Sequence, residues 1–327
     1  VKIDPQYPGP VIYVKDASRA VGVAQNLVST DTRLDYIART KTDYAQKREQ
    51  HANRRQREAL LPLAQARTNR PALDWANYVP PRPGFLGVRS FDDYPLAELV
   101  ERIDWTPFFQ AWELRGRYPA ILDDPEQGEQ ARHLFADAQA MLQQLVAERW
   151  LTARAVLGFF PANRVGEDDI ALYRDESREH ALMTLHHLRQ QSPKPDGKRH
   201  YALADWIAPQ ASGIADYLGA FAVTAGIGID ERVAAFERAH DDYSAILLKA
   251  LADRLAEALA EHLHQRVRTE LWGYAADEML SNEDLIAERY RGIRPAPGYP
   301  ACPDHTEKAL LWQLLDVDRN AGIHLTE

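Results

Sequence analysis

Cysteine is nearly absent from this chain of 327 residues: Cys302 stands alone. One thiol cannot close an internal disulfide, and its loneliness fits a reducing, cytoplasmic compartment. An excess of basic charge is missing too. The net charge is −9, which argues against wholesale binding to nucleic acid. No apolar run approaches the roughly 20 residues of a membrane span, so no membrane partner is expected. The first residue is Val1, with no signal-peptide pattern behind it. A piece of a longer polypeptide is the expectation, and a piece holds only part of an active site. The Gly-rich phosphate loop of a doubly wound α/β domain is also lacking, as are internal repeats and low-complexity tracts.

What is present divides along the chain. Residues 10–28, PVIYVKDASRAVGVAQNLV, read as a strand at Val11–Val14, a turn at Asp16 and a helix. Such a half-unit cannot cover both faces of a sheet, so it is expected to be the end of a preceding domain. Residues 31–59 are highly charged. They read as a solvated linker helix capped by Asp31 or Thr32, with Arg48, Arg54, Arg55 and Arg57 suiting its C-terminal dipole; the other reading is a basic dock for an acidic partner. YVPPRPG (78–84) opens a new region. The helix-like LAELVERI is followed by the aromatic IDWTPFFQAWEL (103–114) and by an amphipathic helix over 125–150.

Strands are expected at ARAVLGFFPA (153–162), HYALADWIA (200–208) and DYLGAFAVTAG (216–226), each bounded by turn residues. A long helical stretch spans 230–273, broken near Asp241–Asp242 and stopped at Gly273; a further helix spans 281–292 behind Ser281. The class is therefore α+β, with a mixed or mainly antiparallel sheet flanked by long helices.

Chemistry concentrates in RPAPGYPACPDHTEK (294–308). Pro295, Pro297, Pro300 and Pro303 fix φ and hold their predecessors extended. Gly298 permits a sharp bend or the close approach of a flat group. Backbone groups of such a strip are not expected to pair within it, which leaves them for a ligand. Arg294 presents a fork for a carboxylate or phosphate, and Tyr299 a ring face. A rigid connector and a ligand-binding strip both satisfy this composition. Asp104, before Trp105 and Pro107, reads as a helix N-cap with lone pairs to spare for a cation. Glu257 reads as a surface ion-pair partner of Arg254, or as a carboxylate reaching a ligand beside an alanine-rich face. FFPANRVGEDD (159–169) ends a strand in a turn. His186-His187 and His262/His264 lack further ligands at zinc spacing, so no zinc is assigned to this chain. The seven tryptophans read as core and interface residues.

These segments resemble one family, cobalamin-dependent methionine synthase, in its C-terminal activation region. The resemblance rests on DASRAVGV (16–23), LLPLAQAR (60–67), IDWTPFF (103–109), FPANR (160–164), HHLRQQ (186–191), DYLGAFAV (216–223), HDDYSAI (240–246), KALADRLAEALAEHLHQRVR (249–268) and GIRPAPGYPACPDHTEK (292–308). It implies that residues 1–30 are a remnant of the cobalamin-binding domain, 31–57 a linker helix, and 58–327 an S-adenosylmethionine-binding activation domain. It implies a role in methionine biosynthesis from homocysteine and methyltetrahydrofolate: reductive methylation of inert cob(II)alamin, with an electron from flavodoxin or a flavoprotein reductase and a methyl from S-adenosylmethionine. The implied ligand set is Asp104, Glu257, Arg294, Pro295, Ala296, Gly298 and Tyr299. Asp104 and Glu257 suit the cationic groups, Arg294 the carboxylate, and the strip the adenine and ribose. Cobalamin is bound mainly by the upstream domain, and zinc belongs to the upstream homocysteine domain. The family usually continues beyond GIHLTE, so a truncated pocket and no turnover by this chain alone are expected. The competing expectation is an interaction module that caps the cobalamin domain and docks flavodoxin without binding the methyl donor.

Overall fold

The computed structural model describes residues 2–14, 17–57, 60–195 and 197–325. Asp16, the final Thr326-Glu327 and the side chains of Arg54, Arg55 and Arg57 lie outside the described residues. The chain forms two compact units: residues 1–69 with 190–200, and residues 70–189 with 201–327.

In the first unit, helix α1 (Ala17–Val28) precedes α2 (Arg33–Arg57) and the short α3 (Leu63–Thr68). α2 is the solvated helix its composition foretells, tied by the Asp43–Lys47 pair at 2.7 Å. Tyr44 is its buried anchor. Residues 11–14 are not a strand: they run as irregular chain, and the Tyr13 N–H donates to the Tyr44 hydroxyl at 2.8 Å. A strand needs a neighbouring strand, and none lies beside it among the described residues. Residues 190–200 return to α3, with Leu61 N–H donating to the Gln191 carbonyl and Asn69 Nδ2 to that of Lys198, both at 2.9 Å.

The second unit is built on an antiparallel sheet of five strands: β1 (Gly87–Tyr94), β2 (Thr152–Val165), β3 (Asp169–Tyr173), β4 (Ala181–His186) and β5 (Asp216–Ile227). β2 is the axis. One edge pairs with β1 and then, from Ala162 on, with β3; the other pairs with β5 along its length. Its near-continuous apolar run is that of a strand covered on both faces. Ala153, Ala155, Leu157 and Phe159 enter one core; Val156, Phe160 and Ala162 enter the other. This is the twofold alternation of a pleated strand. The first core is filled by α4 (Leu96–Val100), α5 (Trp105–Ala111), α6 (Gly128–Ala147), α7 (Ile229–Arg238) and α8 (Asp242–Arg266). The second lies under α10 (Glu307–Leu315) and α11 (Val317–Ala321). A Cβ on Gly158 would stand 2.6 Å from Phe160 and 2.9 Å from Leu315, so only glycine lets α10 this close.

The break before α8 falls where expected, with Asp241 capping Ser244 N–H at 3.0 Å. Two expected elements differ. Residues 200–208 form no strand, because Asp205 accepts from Ala202 N–H at 2.9 Å and from the buried Arg189 fork at 2.8 and 2.9 Å, which curls Leu203–Trp206 into a 3₁₀ turn. The helix after Ser281, α9 (Asn282–Ile286), stops well short of 292. Strands β1, β3 and β4 were not expected from the sequence. Among the described residues no helix is long and apolar enough to cross a membrane.

Candidate functional site

A polar stripe runs along α8 from the exposed Glu257 to the buried Glu261 and His264 and, in the π-helical turn that follows, Arg268. Steps of four, three and four keep them on one stripe. Arg268 is fully buried. Its fork grips Glu278 at 2.7 and 2.9 Å, its face covers the Tyr290 ring at 4.0 Å, and Nη1 reaches His264 Nδ1 at 2.8 Å. A guanidinium only donates, so His264 Nδ1 accepts and its proton sits on Nε2. Burial first, then Arg268 and Arg294, hold His264 near a pKa of about 3. It is a neutral histidine.

Arg294 arrives opposite this stripe at the head of the proline strip. Its Nη2 donates to Glu257 Oε1 at 3.2 Å and to Glu261 Oε2 at 3.1 Å. Burial opposes its charge, but the two carboxylates outweigh that and raise its pKa. Glu257 therefore does not pair with Arg254, which turns to Asp253 at 2.5 Å. Glu261 is the member the sequence reading passed over. It is 8% exposed, its Oε1 has no hydrogen-bond donor among the described residues, and burial pushes its carboxyl up against the pull of Arg294 and Arg268. Arg294 Nε is also buried without an acceptor among the described residues. Such orphaned groups are costly unless something else meets them.

Beside this cluster opens a cavity of about 480 Å³, within the range of small-molecule sites. β2 and β5 contribute Leu157, Phe159 and Leu218; α8 contributes Glu257, Ala260 and His264; the strip contributes Arg294 to Pro297. Four expected site residues, Glu257, Arg294, Pro295 and Ala296, thus share one wall. Three do not line it. Asp104 caps α5, accepting from Thr106 N–H at 3.0 Å. Tyr299 is exposed. Gly298 takes φ +101° with the His305 ring packed where a side chain would be.

The strip also pairs more than its composition implies. Gly298 N–H donates to the Cys302 carbonyl at 2.7 Å, Tyr299 N–H to Ala296 at 3.2 Å, and Cys302 N–H to Tyr299 at 2.9 Å. The left-handed glycine lets the chain fold back on itself. The Ala296 N–H and the Pro295 and Pro297 carbonyls are among the strip groups that keep no intramolecular partner among the described residues. His187, Cys302 and Glu307 also line the cavity. Both His187 ring nitrogens are buried without a hydrogen-bond partner among the described residues, and burial lowers its pKa to about 4. Among the described residues no three His, Cys, Asp or Glu side chains gather to hold a metal.

Comparison with known proteins bears on the family and the fold. Residues 95–327 match the family model described as vitamin B12 dependent methionine synthase, activation domain. A crystal structure of the MetH reactivation domain bound to AdoHcy is 56% identical, covers 82% of each chain and superposes with a TM-score of 0.79. The match spans α4, strands β2 to β5, the α8 stripe and the proline strip, and on that evidence the chain belongs to the family of vitamin B12-dependent methionine synthase activation domains.

Proposed function

We propose that this chain binds S-adenosylmethionine as methyl donor for the reductive methylation of cob(II)alamin, within a 5-methyltetrahydrofolate–homocysteine methyltransferase. The observation that carries the reading is Arg294, held between Glu257 and Glu261 at the mouth of an apolar cavity. Arg294 takes the ligand carboxylate, a charge-assisted pair stronger than a neutral hydrogen bond. Glu257 meets the ammonium. The free backbone groups at Pro295, Ala296 and Pro297 receive adenine and ribose, and Gly298 sets the bend. Asp104 and Tyr299, which do not line this cavity, enter the ligand set on the family resemblance alone. The donor supplies an electrophilic methyl on a good leaving group, so the protein's part is to orient it and exclude water; no general base is required. Because the strip is stiff beforehand, little ordering entropy is lost on binding.

In this reading residues 1–30 end the cobalamin-binding domain, 31–57 link, and 58–327 bind the donor. The partners are the enzyme's own cobalamin domain and flavodoxin or a flavoprotein reductase in the cytoplasm. Zinc stays with the homocysteine domain.

Equilibrium dialysis with labelled S-adenosylmethionine tests this. Saturable binding is expected, weakened about 10- to 100-fold by Arg294→Ala, as for loss of a charge-assisted pair. No binding by the folded chain would leave the interaction module, without a methyl-donor site, as the better account.

A further inference from the structure

Arg268 is fully buried, yet it does not line the cavity. A buried guanidinium–carboxylate pair adds little stability over apolar residues of similar volume. What it supplies is direction, since a bidentate fork fixes its partner in plane and orientation. Arg268 directs two groups of the chain that follows it. Its Nε and Nη2 donate to the two Glu278 oxygens at 2.9 and 2.7 Å, and its face lies 4.0 Å from the centre of the Tyr290 ring. That ring also meets the His264 ring edge-on, with 5.0 Å between centres. Residues 274–293 have little else to fix them: Leu285 is the only buried residue among these described positions. Arg291 adds contacts to the Tyr274 carbonyl at 3.4 Å and the Tyr78 hydroxyl at 3.2 Å, both at the surface.

Arg294 follows directly on that segment, one turn's length of chain after Tyr290. Its buried acceptor is Glu261, and Arg268 stands there too, with Nη1 4.0 Å from Glu261 Oε1. One guanidinium thus borders both supports of Arg294: the tyrosine that leads into it and the acid that receives it. Resting on the reading above, we propose that Arg268 is a positioning residue for methyl-donor binding, setting where Arg294 stands by pinning Glu278 and Tyr290 against the end of α8. It touches no ligand. It acts through Arg294 on the carboxylate of the donor's amino-acid end. The strip beyond is closed on itself by the Gly298, Tyr299 and Cys302 bonds, so its hold on the adenosyl end does not depend on this clamp.

The test compares S-adenosylmethionine with methylthioadenosine, which keeps the adenosyl thioether and lacks the amino-acid end. Dissociation constants are measured by equilibrium dialysis on the full chain, on Tyr290→Leu, Tyr290→Phe, Arg268→Lys and Arg294→Ala, and on Tyr290→Leu combined with Arg294→Ala. Tyr290→Leu and Arg268→Lys should each weaken S-adenosylmethionine about three- to tenfold, the range of a desolvated cation–π contact, and leave methylthioadenosine within about twofold. Tyr290→Phe keeps the ring against the guanidinium and should keep the affinity. With Arg294→Ala already in place, Tyr290→Leu should weaken the donor by no more than about a further twofold. Unchanged donor affinity in Tyr290→Leu and Arg268→Lys overturns the proposal. So does a loss that falls equally on both ligands, or one that persists in full beside Arg294→Ala, which is what a purely structural role would give. Should Arg268→Lys fail to fold by circular dichroism, the half-buried Tyr290 and the double variant still decide, and the double variant decides alone if methylthioadenosine does not bind. No binding of S-adenosylmethionine by the unaltered chain would instead bring down the methyl-donor reading, and this proposal with it.

Discussion

His264 shows how one buried side chain carries a pH dependence. Its ring is 5% exposed and its Nδ1 is committed to Arg268. Burial holds its folded pKa near 3, and those of His187 and His262 near 4, against an ordinary 6.5. The unfolded chain therefore binds more protons than the folded one below pH 6.5, and stability present above that value is lost as the pH falls. Urea midpoints should drop from pH 7.5 to 5.5, each histidine contributing at most about 1.4 kcal/mol per pH unit. The carboxyls of Glu261, Glu307 and Asp216, raised by burial, act in the opposite sense, their contribution falling as the pH rises. His264→Gln keeps an acceptor for Arg268 and should flatten the slope. A midpoint constant across the window would refute the assignment.

At the scale of elements, the site is a helix stripe facing a bent strip, and the bend belongs to Gly298. Alanine there would be forced to φ +101° with its Cβ in the His305 ring. Gly298→Ala should cost about 1–3 kcal/mol of stability and weaken donor binding by displacing Arg294, both read from thermal melts with and without ligand; an unchanged melt would show that the strip tolerates another path. The strip, Arg294 and Glu257 were legible because proline, glycine and arginine act through local geometry. The long helices were legible from their period, the Asp104 cap from residue type, and the break at Asp241–Asp242 from its paired acids. Glu261 and Arg268 were harder, since a polar residue in this helical stretch reads as solvated until its partners, 10 and 33 residues away along the chain, are known. Their steps of four, three and four were the available signal. β3 and β4 were missed because five- and six-residue strands carry little period of their own. The 200–208 segment alternates like a strand, and it curls because Asp205 turns inward to Arg189.

For the molecule as a whole, β2 matters most, because the two cores of the sheet-bearing unit meet on its opposite faces. Neither can melt alone without stripping one side of a buried strand. Leu142→Ala in the α6 core and Leu315→Ala in the α10 core should each cost about 2–5 kcal/mol and shift the same cooperative urea transition. Separate transitions would show that the cores are independent. The interior also sets terms for whatever enters. Arg294 serves two acids through Nη2 alone, and its Nε is buried without an acceptor among the described residues. An arriving carboxylate therefore meets an unused donor on a guanidinium already held in place, while Glu257, whose side chain is 54% exposed, is the acid free to turn to a cation. On the function proposed above, a guest bearing both signs a few bonds apart satisfies both groups at once, and acetate or a simple amine satisfies one.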